Sequence, residues 1–250
     1  MKLSHNQSVR LLQITNHLLL AAGLYFAMST GMYSYLLISI LSYWFIGILG
    51  INVSLHRLLT HRSFETSTFI EKTLSIISVI ATVGSPLAWV AVHRHHHKSA
   101  DTIADVHSPH HLGIMNAWLG FWNYSGIELR LVKDMRKDAW QKLCHKNYFY
   151  IIFLYCIVLA LIDPWLIIFA YAIPVTLCLH SSSVVNILGH MHGYRTHSTK
   201  DKSTNSWIAS IFSMGDGWHN NHHANPRAWS NWEKWWEVDI AGLVIKVIKK

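Results

Sequence analysis

Charge is scarce in this chain of 250 residues, and its positive part is missing from two long stretches. Only 14% of the residues are charged, and no lysine or arginine occurs in residues 11–56 or 147–194. Acidic residues number 13 against 21 basic ones, which leaves a net charge of +8. Cysteine is confined to Cys144, Cys156 and Cys178, whose spacing fits neither a metal knuckle nor a redox pair, so no disulfide is expected. So little cysteine excludes a disulfide-built secreted scaffold. A content of 51% hydrophobic and 12% aromatic residues excludes a disordered chain. Nucleic acid is not an expected partner, because the basic surplus has a simpler source in topogenic charge beside membrane spans and in attraction to anionic headgroups.

The hydrophobic residues are gathered into runs. Those at 11–28, 32–55, 148–162 and 165–187 are long enough, or nearly so, to cross about 30 Å of hydrocarbon at about 1.5 Å per residue. Ser29-Thr30-Gly31 joins the first pair and Asp163-Pro164 the second, both turn signals. No small-residue cleavage site marks the first run as a secretory leader. A fifth apolar stretch, 69–92, carries Glu71, Lys72, Ser75, Ser78 and Thr82 and is broken at Gly84-Ser85-Pro86, so it reads as an interfacial or cap-buried helix. The expected fold is an all-α integral membrane protein: four transmembrane helices in two hairpins, with a helical cap from 56–147 and 188–250, the whole of 1–250 forming one domain. Four spans put every lysine and arginine on one face, which predicts cytoplasmic termini and a cytoplasmic cap.

Histidine is abundant, with 19 residues, and eight of them fall into three dense groups: His56 and His61; His93, His96 and His97; His219, His222 and His223. On an α-helix, positions i, i+3 and i+4 share a face, so the second and third groups can each aim several imidazoles at one place. The five-residue step from His56 to His61 turns about 500° and rises about 7.5 Å on an ideal α-helix, so these two need not meet the same ion. Eight imidazoles are too many for one four-coordinate zinc and fit a dinuclear centre with open positions for water or oxygen.

These groups lie in the segments NVSLHRLLTHRSF, GSPLAWVAVHRHHHKSAD, VVNILGHMHGYR, GDGWHNNHHANP and WEKWWEVD, in that order across residues 52–239. The series resembles the membrane fatty-acyl desaturases, in particular the delta-9 branch that includes the stearoyl-CoA desaturases and the bacterial and cyanobacterial acyl desaturases. By position, the resemblance implies dimetal ligands at His56, His61, His93, His96, His97, His190, His219, His222 and His223, with Asn186 approaching one metal through a water. It implies outer partners at His95, Asp105, His107, His180 and Asp216, since a metal-bound imidazole needs a partner for its other nitrogen. The pair Asn186 and His190 marks the delta-9 branch. Departures are Asp216 where glutamate is usual, Asp105-Val106-His107 for Asp-Pro-His, and Ser183 where tryptophan is typical; they bear on substrate fit more than on metal binding.

An unactivated methylene has no acidic proton, so acid-base or nucleophilic side chains cannot break its C–H bond and a redox metal must carry the step. The resemblance therefore implies two iron ions, dioxygen, and electrons from a separate ferredoxin or cytochrome b5-type donor, since no fused cytochrome domain is expected. The resemblance implies a long-chain acyl-CoA, acyl-carrier or acyl-lipid substrate, with membrane lipid as a further partner. No catalytic residue is expected beyond the metal centre. Tyr33, Tyr35, Trp44 and Phe45 read as belt or packing aromatics in preference to walls of an acyl tunnel. Trp229, Trp232, Trp235 and Trp236 read as a helix lying on the membrane surface, and Lys246, Lys249 and Lys250 as a solvated topogenic face. A hydroxylase or other di-iron lipid oxygenase is the alternative within the superfamily. A metal- or haem-binding membrane protein is the alternative outside it, although a transporter would hold its ligands near the bilayer midplane.

Overall fold

The two stretches without lysine or arginine become the long helices of the structure, a computed structural model that describes residues 5–120, 122, 124 and 127–250, the side chains of His5 and Asn6 excepted. Helix α1 (His5–Thr30) turns at Gly31, whose φ of +73° suits the residue without a Cβ. Helix α2 (Tyr33–Phe45) then continues without a break into a π-helical segment, Ile46–Thr60. After α3 (Thr68–Ile80) and α4 (Pro86–Ser99) come the short α5 (Pro109–Leu112) and α6 (Ile114–Leu119). Helices α7 (Ala139–Lys146) and α8 (Tyr148–Ile162) meet at a 72° bend. A π-turn, Ile167–Ala172, opens α9 (Ile173–Met191), and α10 (Trp207–Ser213), α11 (His219–Ala224) and α12 (Ile240–Ile248) complete the chain. No strand occurs among the described residues, only the isolated bridges of Asn205 to Tyr194 and Trp218.

Three helices are long and apolar enough to cross a membrane, Gln7–Thr30, Tyr33–Thr60 and Ile167–Met191, and a fourth span exists if α7 and α8 are counted together. Each of the three runs a few residues past its hydrophobic stretch, because helical hydrogen bonding continues where hydropathy stops. The stretch 69–92 divides as its sequence suggests: α3 is capped by the Ser67 hydroxyl accepting from Ile70 N–H, and the break holds Thr82 and Gly84 at positive φ before Pro86 opens α4. Helix α3 presses on the π-helical segment so closely that a Cβ on Gly50 would lie 3.0 Å from the Ile77 carbonyl oxygen. The hairpins are tied by Tyr35, whose hydroxyl donates to Asp163, and by Phe26 stacked on Trp165 at 4.0 Å.

The helix expected around the four tryptophans is absent: residues 225–239 run as turns and irregular chain. Buried carboxylates take the N–H groups that a helix would have used. Glu237 accepts from Glu233 and Lys234, and Asp239 accepts from Asn231 and Gly242. Trp235 is exposed, while Trp229 is half-buried beneath the Lys249 ammonium at 4.1 Å.

The turn before the third histidine group is sterically closed. A Cβ on Gly217 would stand 2.0 Å from Ser210 N and 2.4 Å from Ala209 C, both backbone atoms of α10. Gly217→Ala is therefore expected to cost about 3 kcal/mol or more. Thermal unfolding of the purified variant against the parent checks this, and a Tm unchanged within error would show that α10 can yield.

Candidate metal centre

The histidine groups converge, but not group by group. The ligand-capable nitrogens of His56, His61, His93, His97 and His222 lie within 4.8 Å of one another, and those of His96, His190, His219 and His223 form a second such cluster beside them. Helical spacing explains the division. In α4, His93 and His97 are four apart and go to the first cluster while His96 goes to the second; in α11, His219 and His223 go to the second while His222 goes to the first. Three-residue and four-residue steps thus face two centres and not one.

His56 and His61 belong together, contrary to the separation that an ideal α-helix imposes. Their segment is π-helical, with each carbonyl reaching five residues on, as in the 3.2 Å bond from His61 N–H to the His56 carbonyl. Five is then the step of one turn. Arg94 fastens this end to α4, donating to the carbonyls of Leu59, Thr60 and Leu131 and to Asp134.

The nitrogens are arranged for a cation. His56, His190 and His223 bond Asp216, Asp101 and Asp201 through Nδ1 at 2.8–2.9 Å, so each has its lone pair at Nε2. Those Nε2 atoms face others: His56 lies 3.0 Å from His222, and His190 and His223 each lie 3.1 Å from His219. His96, bonded through Nδ1 to Asp105 at 2.9 Å, has a buried Nε2 with no hydrogen-bond partner. Facing lone pairs repel unless a positive ion lies among them. Edges of 3.0–3.1 Å match neighbouring ligands held about 2.1 Å from a shared ion and roughly at right angles. The site fits two metal ions.

Electrostatics agree. Burial, followed by the neighbouring imidazoles, holds His61, His93, His96, His219, His222 and His223 far below the ordinary histidine range and His97 at about 3. These rings are neutral at pH 7 and offer lone pairs. Burial alone would raise Asp216, but His56 and Arg57 hold it well below the usual carboxylate range.

The remaining expected residues divide. Asp105 bonds His96, and His107 joins these two in a third cluster, its ring 4.3 Å from that of His96; burial pushes His107 down to about 4 against the pull of Asp105. Asn186 lines the adjoining pocket one helical turn before His190. His95 points elsewhere, its Nε2 on the Ala104 carbonyl at 2.9 Å. His180 also stands apart, with its Nε2 3.0 Å from that of His17 inside the bundle; ten residues on α9, about 15 Å, separate it from His190.

Sequence reasoning missed four residues. Asp101 and Asp201 orient His190 and His223. Arg57 is 1% exposed and bridges Asp216 and Asp239. Asn205 accepts the N–H groups of Asn220 and Asn221 and so closes the first turn of α11. The one available signal was the repeated His-Arg dipeptide at 56–57 and 93–94, in which each arginine locks the helix that presents the histidine.

Beside the clusters lies a pocket of about 600 Å³, walled by Tyr43, Ile51, Trp89, Val92, Leu119 and Met214 and bounded at one side by His56, His93, His107 and His219. Trp89 stacks on His93 at 4.8 Å. Tyr33, Trp44 and Phe45 are exposed and are not among the residues that line this pocket.

Comparison with known proteins gives this geometry its context. Residues 30–242 match the fatty acid desaturase family. The chain is 32% identical over 220 residues to the sn-1 stearoyl-lipid 9-desaturase of Anabaena variabilis, covering 85% of this chain and 79% of that protein. It is 33% identical over 212 residues to delta-9 acyl-lipid desaturase 2 of Arabidopsis thaliana, covering 82% and 68%, and 31% identical over 247 residues to the acyl-CoA C20 delta-5 desaturase of Anemone leveillei, covering 93% and 78%. With spans, histidine clusters and sequence in agreement, the chain belongs to the fatty acid desaturases, membrane oxidoreductases of lipid metabolism.

Proposed function

We propose that this chain, as one desaturase domain, inserts a cis double bond at the delta-9 position of a long-chain fatty acyl group at a di-iron centre. The observation that carries this reading is the pair of imidazole clusters on the wall of a largely apolar pocket. His56, His61, His93, His97 and His222 would hold one iron and His96, His190, His219 and His223 the other, with the Asn186 amide approaching one of them through a water. When bound, the two irons supply the oxidising chemistry: dioxygen, two electrons and two protons enter, two hydrogens leave adjacent methylenes, and a double bond and two waters result. The electrons would come from a ferredoxin or cytochrome b5-type donor.

The chain's own residues orient and enclose. Ile51, Val92, Leu119 and Met214 offer apolar surface to the acyl tail, and Trp89, packed flat on His93, keeps water from that side of the cluster. Desolvation holds the rings of His61, His93, His96, His97, His219, His222 and His223 neutral, and the aspartates behind His56, His96, His190 and His223 fix which nitrogen faces inward. We place four spans in the membrane, with α8 as the third, and both termini, the cap and the clusters on the cytoplasmic side; the confinement of lysine and arginine to these segments supports it. Membership of an oxidoreductase family leaves no support for a transporter or haem carrier.

The test is the fatty-acid profile of a host without its own desaturase but with a competent electron donor, with double-bond positions found by mass spectrometry. New cis-9 monoenes are expected. A double bond at carbon 5, as the name of the Anemone relative would suggest, or a hydroxylated product, would overturn the delta-9 reading. Ala88 lines the pocket, so Ala88→Trp is expected to cut product at least about tenfold while metal content is unchanged; full activity would mean that the acyl chain lies elsewhere.

A further inference from the structure

The two histidine clusters differ in what stands behind them. In the four-histidine cluster, three ligands are each backed by an aspartate through Nδ1: His96 by Asp105 at 2.9 Å, His190 by Asp101 at 2.8 Å and His223 by Asp201 at 2.9 Å. In the five-histidine cluster, among the described residues, only His56 has a carboxylate partner, Asp216 at 2.9 Å, and that carboxylate is shared with the Arg57 guanidinium at 2.6 Å. One centre therefore has three carboxylates directly behind its ligands, and the other has one, which also accepts from the buried Arg57 guanidinium.

A carboxylate that accepts the Nδ1 hydrogen raises the basicity of the opposite nitrogen and fixes the ring, and loss of such a partner typically weakens a metal site by about 10–100-fold. The aspartates are themselves held. Asp101, at a left-handed φ of 60°, also accepts from Lys202 N–H at 2.8 Å and from the Ser108 hydroxyl at 3.3 Å, joining three separate segments around His190. Asp201 accepts from Ser203 N–H at 2.9 Å and from the Thr199 hydroxyl at 2.7 Å. Their carboxylates cannot swing away when a ring moves.

We propose that the two metal positions are inequivalent: the four-histidine position, through the positioning residues Asp101, Asp105 and Asp201, holds its ion the more tightly, and the five-histidine position releases its ion first. This rests on the dimetal reading of the clusters. It makes no use of turnover, so it can be tested without substrate.

The experiment is timed metal release from the purified, iron-loaded full chain in lipid nanodiscs, with a chelator in excess and bound iron counted by mass spectrometry. The parent chain is expected to lose one equivalent in a fast phase and one in a slow phase. Asp201→Asn and Asp101→Asn are expected to speed the slow phase by about 10–100-fold and leave the fast phase alone. Asp201→Glu should recover part of the difference, which a general loosening of the fold would not allow. In ⁵⁷Fe Mössbauer spectra the same Asn variants should shift one of two iron signals and leave the other. Two equivalents leaving the parent in a single phase would overturn the inequivalence while keeping the dimetal site. Asn variants that speed the fast phase alone would reverse the assignment and overturn the proposal. A parent chain that holds fewer than two ions would overturn the dimetal reading, and this inference with it.

Discussion

Membranes carrying His222→Ala will form no new double bonds, and the purified variant will hold about one metal ion fewer than the parent. His222 is 1% exposed, and its Nε2 lies 3.0 Å from the Nε2 atoms of both His56 and His97. It therefore joins the span that carries His56 to the α4 helix that carries His97, and without it the five-histidine cluster loses the ligand contributed by α11. Removal of a side chain that contacts a metal taking part in the reaction costs the chemistry itself and is expected to lower activity by at least about three orders of magnitude. His180→Ala is the control, since His180 meets His17 and neither cluster; metal content there should match the parent. Full activity in the His222 variant would sink the assignment of the clusters as the reaction centre.

The second large effect is on stability. Arg57→Met removes the guanidinium that donates to Asp239 at 2.7 and 3.0 Å, to Asp216 at 2.6 Å and to the Trp229 carbonyl at 3.0 Å. Methionine fills much of the volume but leaves two carboxylates buried without their cation, a situation that costs about 3–5 kcal/mol. Arg57→Lys retains the charge and loses the two-pronged geometry, so it should fall between. Thermal unfolding of the purified proteins orders the three chains, with Met below Lys below Arg. A Met variant within about 1 kcal/mol of the parent would show that Asp216 and Asp239 find other partners or take up protons. Because Asp216 also orients His56, the Met variant should bind metal less tightly as well, at the five-histidine cluster first.

Much of the fold is written locally. The stretches without lysine or arginine mark the long helices because a charge at bilayer depth is costly at each position separately, and the Gly84-Ser85-Pro86 break is visible because backbone restriction acts residue by residue. The histidines were legible as a set for the same reason. Their division between two centres was not, since it depends on the orientation of α4 and α11 after packing, and no sequence pattern announces the π-helical register at 46–60, where α3 packs closely at Gly50. Asp101 and Asp201 reach their histidines across 89 and 22 residues of sequence, with no periodicity to announce them. The tryptophans at 229–236 misled because their spacing is helical, while the buried Glu237 and Asp239 that claim the local N–H groups come later in the chain.

The sharing of α4 and α11 between both clusters makes each helix a spacer bar. The distance between the two centres is set by the offset between a three-residue and a four-residue step along a rigid rod, not by loops that could drift. A one-residue insertion between residues 93 and 96 or between 219 and 222 would thus do more than weaken one centre: it would rotate the later histidines by about 100° and displace a ligand of each. A change of length that spares both centres must therefore fall in the connections between helices.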